Sequence, residues 1–183
     1  MYIFMTLNLL LLDTEKTGIY PNYDSVIEIG AVLYSCLSQA VISQVSFLLN
    51  APSNPAEHIN RIPVEALAAS SVTLQTSSFG LLQHMAAEAS YIVAHNAEFD
   101  AQWFNDQSLP IIRGFNQQPL RWLCSMADMT WPKQSKPGES LISLALNHGI
   151  GVSSAHRALT DCQLLAELFD LPKLNFQKLS LRP

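Results

Sequence analysis

The stretch "LNLLLLDTE" (residues 7–15) constrains the chain more than any other. Four consecutive leucines leave no polar face, so the segment reads as a central strand covered by helices on both sides. Asp13 and Glu15 then close it. Residues two apart on an extended chain point to the same side, so if the strand continues through them the two carboxylates converge. Like charges held together need a cation or a proton. Lys16 is the one base close by, and strand alternation sends its side chain the other way.

The 183 residues, 49% of them hydrophobic, are enough for one domain with a real core. Ten Lys and Arg against fifteen Asp and Glu give a net charge of −5, which argues against a broad basic face gripping nucleic acid along its length and leaves room for local contact. Three cysteines without CxxC spacing indicate neither a disulfide framework nor a zinc cage and fit a reducing cytoplasm. The opening "MYIFMTLNLLLLD" lacks a basic n-region and a small-residue cleavage site, so it reads as a buried strand and not a signal peptide. No later run approaches the roughly 18 apolar residues of a membrane span, and a soluble protein with no membrane partner is expected.

Residues 25–35, "SVIEIGAVLYS", and 40–50, "AVISQVSFLLN", are rich in β-branched and aromatic residues and predict two strands joined by a short hairpin connection, "CLSQ". In the second, Val41, Ser43, Val45, Phe47 and Leu49 share one side. Residues 51–63 read as a loop, 72–89 as a helix, and "YIVAHN" as a buried strand. A helix is predicted from Ala97 to Asp106 with Asn96 as its N-cap. "LRWLCS" predicts a fifth strand, 131–140 a loop, "LISLALNHG" a helix, and about 157–170 a last helix. With no internal repeat and no shift of composition, residues 1–170 form one unit and 171–183 a short tail.

Two of these helices carry an acid on the packing face. Asp100 falls on the stripe of Ala97, Ala101 and Phe104. Asp161 falls among Ala158, Cys162, Leu165, Ala166 and Phe169. A buried unpaired carboxylate is costly, so both are expected to share a cation with Asp13 and Glu15. An all-oxygen site selects Mg²⁺ or Mn²⁺ over zinc. Four carboxylates suit two such ions, about 3.5–4 Å apart, the spacing that clamps the two oxygens of a phosphoryl displacement. Four added positive charges would bring −5 to −1 and lower the repulsion toward a polyanion.

"DTEKTG" with Asp13 and Glu15, "AHNAEFD" ending in Asp100, and "HRALTD" with His156 five residues before Asp161 resemble the three motifs of the DEDDh, DnaQ-like, 3′→5′ exonuclease family, in the same order across roughly residues 7–170. "WLCSMADMTWP" followed by "SLISLALNHGI" is similar to its exonuclease X subgroup. The resemblance implies an α/β, ribonuclease H-like fold with a central five-stranded mixed sheet flanked by helices, and release of nucleoside 5′-monophosphates from 3′ ends. It implies that Asp13, Glu15 and Asp161 hold one metal ion, that Asp13 bridges to a second near Asp100, and that His156 is the general base. Thr14, Thr17, Gly18, Ile62, His95 and Asn96 are the implied substrate contacts. Lys16 departs from the small or apolar residue usual in the family and is read as a solvated charge in preference to a phosphate contact; Asn60 stands where the family often has histidine.

Single-stranded DNA 3′ ends are the expected substrate. Exoribonuclease or oligoribonuclease activity and a polymerase-associated proofreading role are the alternatives, and the chain is compatible with a homodimer. With few basic residues, binding should rest on two or three phosphate contacts, so log affinity against log salt should fall with a slope of about −1.4 to −2.1 on single strands. A salt series on a labelled oligonucleotide checks this; a slope steeper than about −4 would reveal a basic tract the composition does not suggest.

Overall fold

The four leucines lie at the centre of a five-stranded sheet. The structure, a computed structural model, describes residues 7–152 and 156–171; the opening "MYIFMT" and the tail from residue 172 lie outside the described residues. Three strands come first, β1 (Asn8–Lys16), β2 (Val26–Ser35) and β3 (Ala40–Leu48). They are followed by α1 (Glu57–Asn60), α2 (Val64–Ala69), α3 (Val72–Ala87), β4 (Tyr91–Ala94), α4 (Ala97–Ala101), β5 (Trp122–Cys124), α5 (Leu141–Asn147) and α6 (Ala158–Phe169). The sheet order is β3-β2-β1-β4-β5, antiparallel from β3 to β1 and parallel from β1 to β5. Sequential hairpins need antiparallel pairing and helical crossovers permit parallel pairing, so the order of elements produces the mixed sheet.

Alternation along β1 divides the interior into two cores. Leu9 and Leu11 pack with α5 and α6 residues such as Leu144, Leu165 and Phe169. Leu10 and Leu12 pack on the other face with Leu82, Met85 and Ala86 of α3 and with Trp103 and Phe104. All four leucines are at most 2% exposed, and burying each stabilises the fold by about 1.5–3 kcal/mol. The same parity carries Asp13 and Glu15 onto the α6 side, and Thr14 and Lys16 onto the α3 side.

Some elements differ from the sequence expectation. The loop at 51–63 contains the single helical turn α1, and α2 occupies 64–69, both too short to show a periodic pattern. The helix from Ala97 stops at Ala101 instead of reaching Asp106. There the Trp103 and Phe104 amides bond the Asp100 and Ala101 carbonyls, three residues back, and both aromatic rings turn into the α3-side core. In β3, Val45 and Phe47 point inward as expected, whereas Val41 is 45% exposed at the start of this edge strand.

The start of α6 lies directly against the backbone of β2. A Cβ on Gly30 of β2 would lie 2.2 Å from the Leu159 amide nitrogen and 2.3 Å from the Ala158 carbonyl carbon. The Cys162 thiol also donates to the Gly30 carbonyl at 3.3 Å. Gly30 pairs in register with Asp13, so the helix is pressed against the sheet beside the first acid. Gly30→Ala should push backbone against backbone, lower stability by about 1–3 kcal/mol or more, and displace Asp161. Denaturant melts and divalent-metal affinity measured on the same variant check both effects.

Candidate active site

Three acids meet at the carboxyl end of β1. One carboxylate oxygen from each of Asp13, Glu15 and Asp161 lies within 4.8 Å of the other two. Asp13 and Glu15 come from alternate positions of β1, and Asp161 from the first turn of α6. Two unit charges about 4 Å apart repel by about 4 kcal/mol at an effective dielectric of 20, more than an ordinary hydrogen bond returns. Burial adds to this. Desolvation, then the charges of Asp100, Asp161 and Glu15, holds Asp13 well above the usual carboxylate range. Glu15 is pushed up to about 7 by desolvation and then by Asp161. Desolvation raises Asp161 to about 6, opposed by the nearby His156.

One oxygen, Asp161 Oδ1, is buried with no hydrogen-bond partner. A carboxylate trio that is crowded, desolvated and left with an orphan acceptor fits a hard divalent cation. Asp13, Glu15 and Asp161 are the residues able to hold it.

The position of Asp161 depends on an anchor that the motif reading missed. Glu28, 1% exposed inside β2, accepts from Arg157 Nη2 at 2.7 Å and Nε at 3.0 Å, from the Ala158 amide at 3.1 Å, and from the Ser46 hydroxyl at 3.1 Å. Arg157 supplies no side-chain cap to α6, so Glu28 caps the helix from the sheet, with its negative charge at the positive end of the helix dipole. The signal was present as an acid inside the otherwise apolar "VIEIGAV".

Asp100 behaves differently from the other acids. Its charge acts on Asp13, yet its Oδ1 accepts the Thr14 hydroxyl at 2.6 Å and Lys16 Nζ at 2.7 Å. Lys16 is therefore no solvated charge: it is 7% exposed and ion-paired with Asp100. The Thr14 side chain is likewise buried on Asp100.

Thr17 and Gly18 form the turn after β1. The Ser25 amide donates to the Thr17 hydroxyl at 2.9 Å, and a Cβ on Gly18 would lie 2.4 Å from the Asp24 carboxylate. Ile62 offers no free apolar surface, because it is 1% exposed and packs with Ile27 and Leu67. Asn60 braces the same corner, accepting from Asn54 Nδ2 at 2.9 Å and from the Ile62 amide at 3.1 Å. His95 uses both ring nitrogens within the protein, at 2.9 Å to Ser125 Oγ and 2.9 Å to the Glu139 carbonyl, and burial lowers its pKa. Asn96 sits at the N-cap position of α4 in the left-handed conformation, without a side-chain capping bond. His156 is exposed, with φ 63°, one residue before Arg157.

A mixed β-sheet whose central strand ends in clustered acids, completed by an acid from a helix packed across it, defines a hydrolase of the ribonuclease H-like class with an acidic cluster that could hold a metal ion. The chain belongs to the RNase_T exonuclease family, whose sequence model matches residues 10–169, and it is a DnaQ-like 3′→5′ exonuclease. It is 31% identical over 165 residues to the DNA polymerase III subunit epsilon of Treponema pallidum, covering 86% of this chain and 72% of that one. A DNA polymerase III subunit epsilon-like protein of Rhodobacter capsulatus is 29% identical over 89% of this chain, which spans 23% of that longer protein. Among solved structures, exonuclease X in complex with 5′-overhanging duplex DNA superposes with TM-score 0.61 at 26% identity, over 88% of this chain and 89% of that one. Escherichia coli exonuclease I with a dA16 oligonucleotide shares the fold, with TM-score 0.70 at 19% identity over 95% of this chain and 42% of that one.

The raised carboxyls predict a pH signature. The folded chain holds protons on Glu15 and Asp161 more tightly than the unfolded chain, so their contribution to stability is present below about pH 4 and is lost as pH rises through about 6 and 7. Without metal, Glu15→Gln should melt above wild type at pH 8, with the gap closing toward pH 4.5. Saturating Mg²⁺ should remove the wild-type deficit, because the cation takes over the neutralisation. Melting curves across this range, with and without Mg²⁺, check it.

Proposed function

We propose that this chain removes nucleotides one at a time from the 3′ ends of single-stranded DNA. The observation that carries the reading is the convergence of Asp13, Glu15 and Asp161 within 4.8 Å around an orphan oxygen. The similarity to exonuclease X bound to overhanging DNA, which covers both chains almost entirely, supports DNA over RNA. A bound divalent ion would supply a Lewis acid toward the scissile phosphate and lower the pKa of an attacking water.

The residues of the chain divide the remaining work. Asp13, Glu15 and Asp161 would hold the first ion, and Asp13 and Asp100 would be the ligands of a second. His156 accepts the proton from the water as its oxygen attacks phosphorus. The bond from phosphorus to the O3′ of the preceding nucleotide breaks, freeing a nucleoside 5′-monophosphate, and the departing O3′ takes a proton from solvent to leave a new 3′ hydroxyl on the shortened strand. The exposure of His156 at the start of α6 suits this role, since a base must meet both water and solvent. Glu28 and Arg157 hold the adjacent backbone and so limit where the imidazole can reach. The Thr17–Gly18 turn follows directly on the same end of β1 and would offer its backbone to the terminal nucleotide.

His156→Ala should lower the rate by about 10²–10⁴-fold while leaving divalent-metal affinity largely unchanged. End-labelled DNA and RNA, single- and double-stranded, with Mg²⁺ or Mn²⁺, test the whole reading on one gel. Mononucleotide release from the 3′ end of single-stranded DNA is expected. Faster RNA digestion would make the chain an exoribonuclease, and 5′→3′ release would sink the proposed polarity.

A further inference from the structure

A lysine this deeply buried is rare unless its charge is matched. The Lys16 ammonium has three partners: it donates to Asp100 Oδ1 at 2.7 Å and to the Thr14 carbonyl at 3.0 Å, and it lies 4.3 Å from the centre of the Phe99 ring. Asp100, 2% exposed, receives the Thr14 hydroxyl on the same oxygen. Charge-assisted bonds of this length are strong, and the aromatic face adds attraction for a desolvated cation. Asp100 is also the charged group that acts most strongly on Asp13. Lys16 therefore occupies an oxygen of Asp100, the acid whose charge reaches Asp13.

We propose that Lys16 is a built-in counter-cation that holds Asp100 back from metal coordination, so that the resting chain takes one divalent ion and admits a second only when Lys16 lets go of Asp100. This rests on the reading of Asp13, Glu15 and Asp161 as the ligands of the first ion. Counting the ammonium, the four acids leave three unbalanced negative charges, and the first ion reduces them to one. A second ion would find an acceptor already occupied and a fixed positive charge beside it. Both effects weaken its binding; the ammonium also acts on Asp13 and Glu15, but it takes no ligand from the first site. A phosphate drawing the ammonium away from Asp100 would reverse them, coupling entry of the second ion to substrate.

Manganese titrations of the metal-free full chain, without nucleic acid, test this by calorimetry and by the Mn²⁺ paramagnetic resonance signal. Wild type should take one ion, with any second at least about 100-fold weaker, near the upper range of coupling between sites. Lys16→Met, which keeps the stem and removes the charge, should take two, with the second tightened at least about 10-fold. Its metal-free melting temperature should fall below wild type, because Asp100 stays buried without its cation, and should recover further with Mn²⁺ than wild type does. Two ions of comparable affinity in wild type would overturn the proposal, and this needs no variant to fold. So would a folded Lys16→Met that binds its second ion no tighter. Asp161→Asn separates the two readings: it should abolish the first ion. If it left that ion intact, the carboxylate trio would be the wrong site, whatever Lys16 does.

Discussion

Repulsion among acids that water cannot screen is the constraint around which the rest of the molecule is arranged. Each of Asp13, Glu15 and Asp161 would prefer to move apart. What holds them is apolar packing further down the same elements. The leucines of β1 are clamped between two cores, and Leu165, Ala166 and Phe169 fix α6 over the sheet. Glu28 and Arg157 then secure the one helix end that the apolar stripe leaves free.

The central strand sorts its polar chemistry by parity. Odd positions, Asp13 and Glu15, face α6, where with Asp161 they could hold an external cation. Even positions, Thr14 and Lys16, face the other way and satisfy Asp100 from within. One strand thus carries two opposite answers to a buried negative charge, one borrowed from solution and one covalently attached. The two lie close enough for Asp100 and Lys16 to act on Asp13 in opposite directions.

Much of this was legible in the chain. A run apolar on both faces means a central strand, and that reading put Asp13 and Glu15 at its end. The acids on the helix packing stripes were expected to share a cation with them; Asp161 does meet them, whereas Asp100 bonds Thr14 and Lys16 instead. Alternation also gave the direction of the Lys16 side chain, but not its destination, because Asp100 is 84 residues away and reaches Lys16 through the β1–β4 pairing. A long flexible stem makes lysine look solvated in any sequence. Ile62 was misread for the opposite reason: an apolar residue in a loop rich in Pro and Asn looks available for stacking, whereas Ile27 and Leu67 close over it. His95 and Asn96 sit in a motif and invite a role at the substrate, but the hydrogen-bond partners of His95 come from two distant loops that no local pattern announces.

The placement of α6 has a consequence for the birth of the enzyme. It is the last helix of the described chain, and it covers β1 and β2, whose pairing is local and available early. Until α6 docks, Asp161 is absent from the acid pair and one face of the sheet lacks its cover. A chain emerging from the ribosome can pair its first three strands, yet it carries no hydrolytic centre while it does so. On the proposed reading of Asp161 as a ligand, docking of α6 and assembly of the nuclease centre are then a single event.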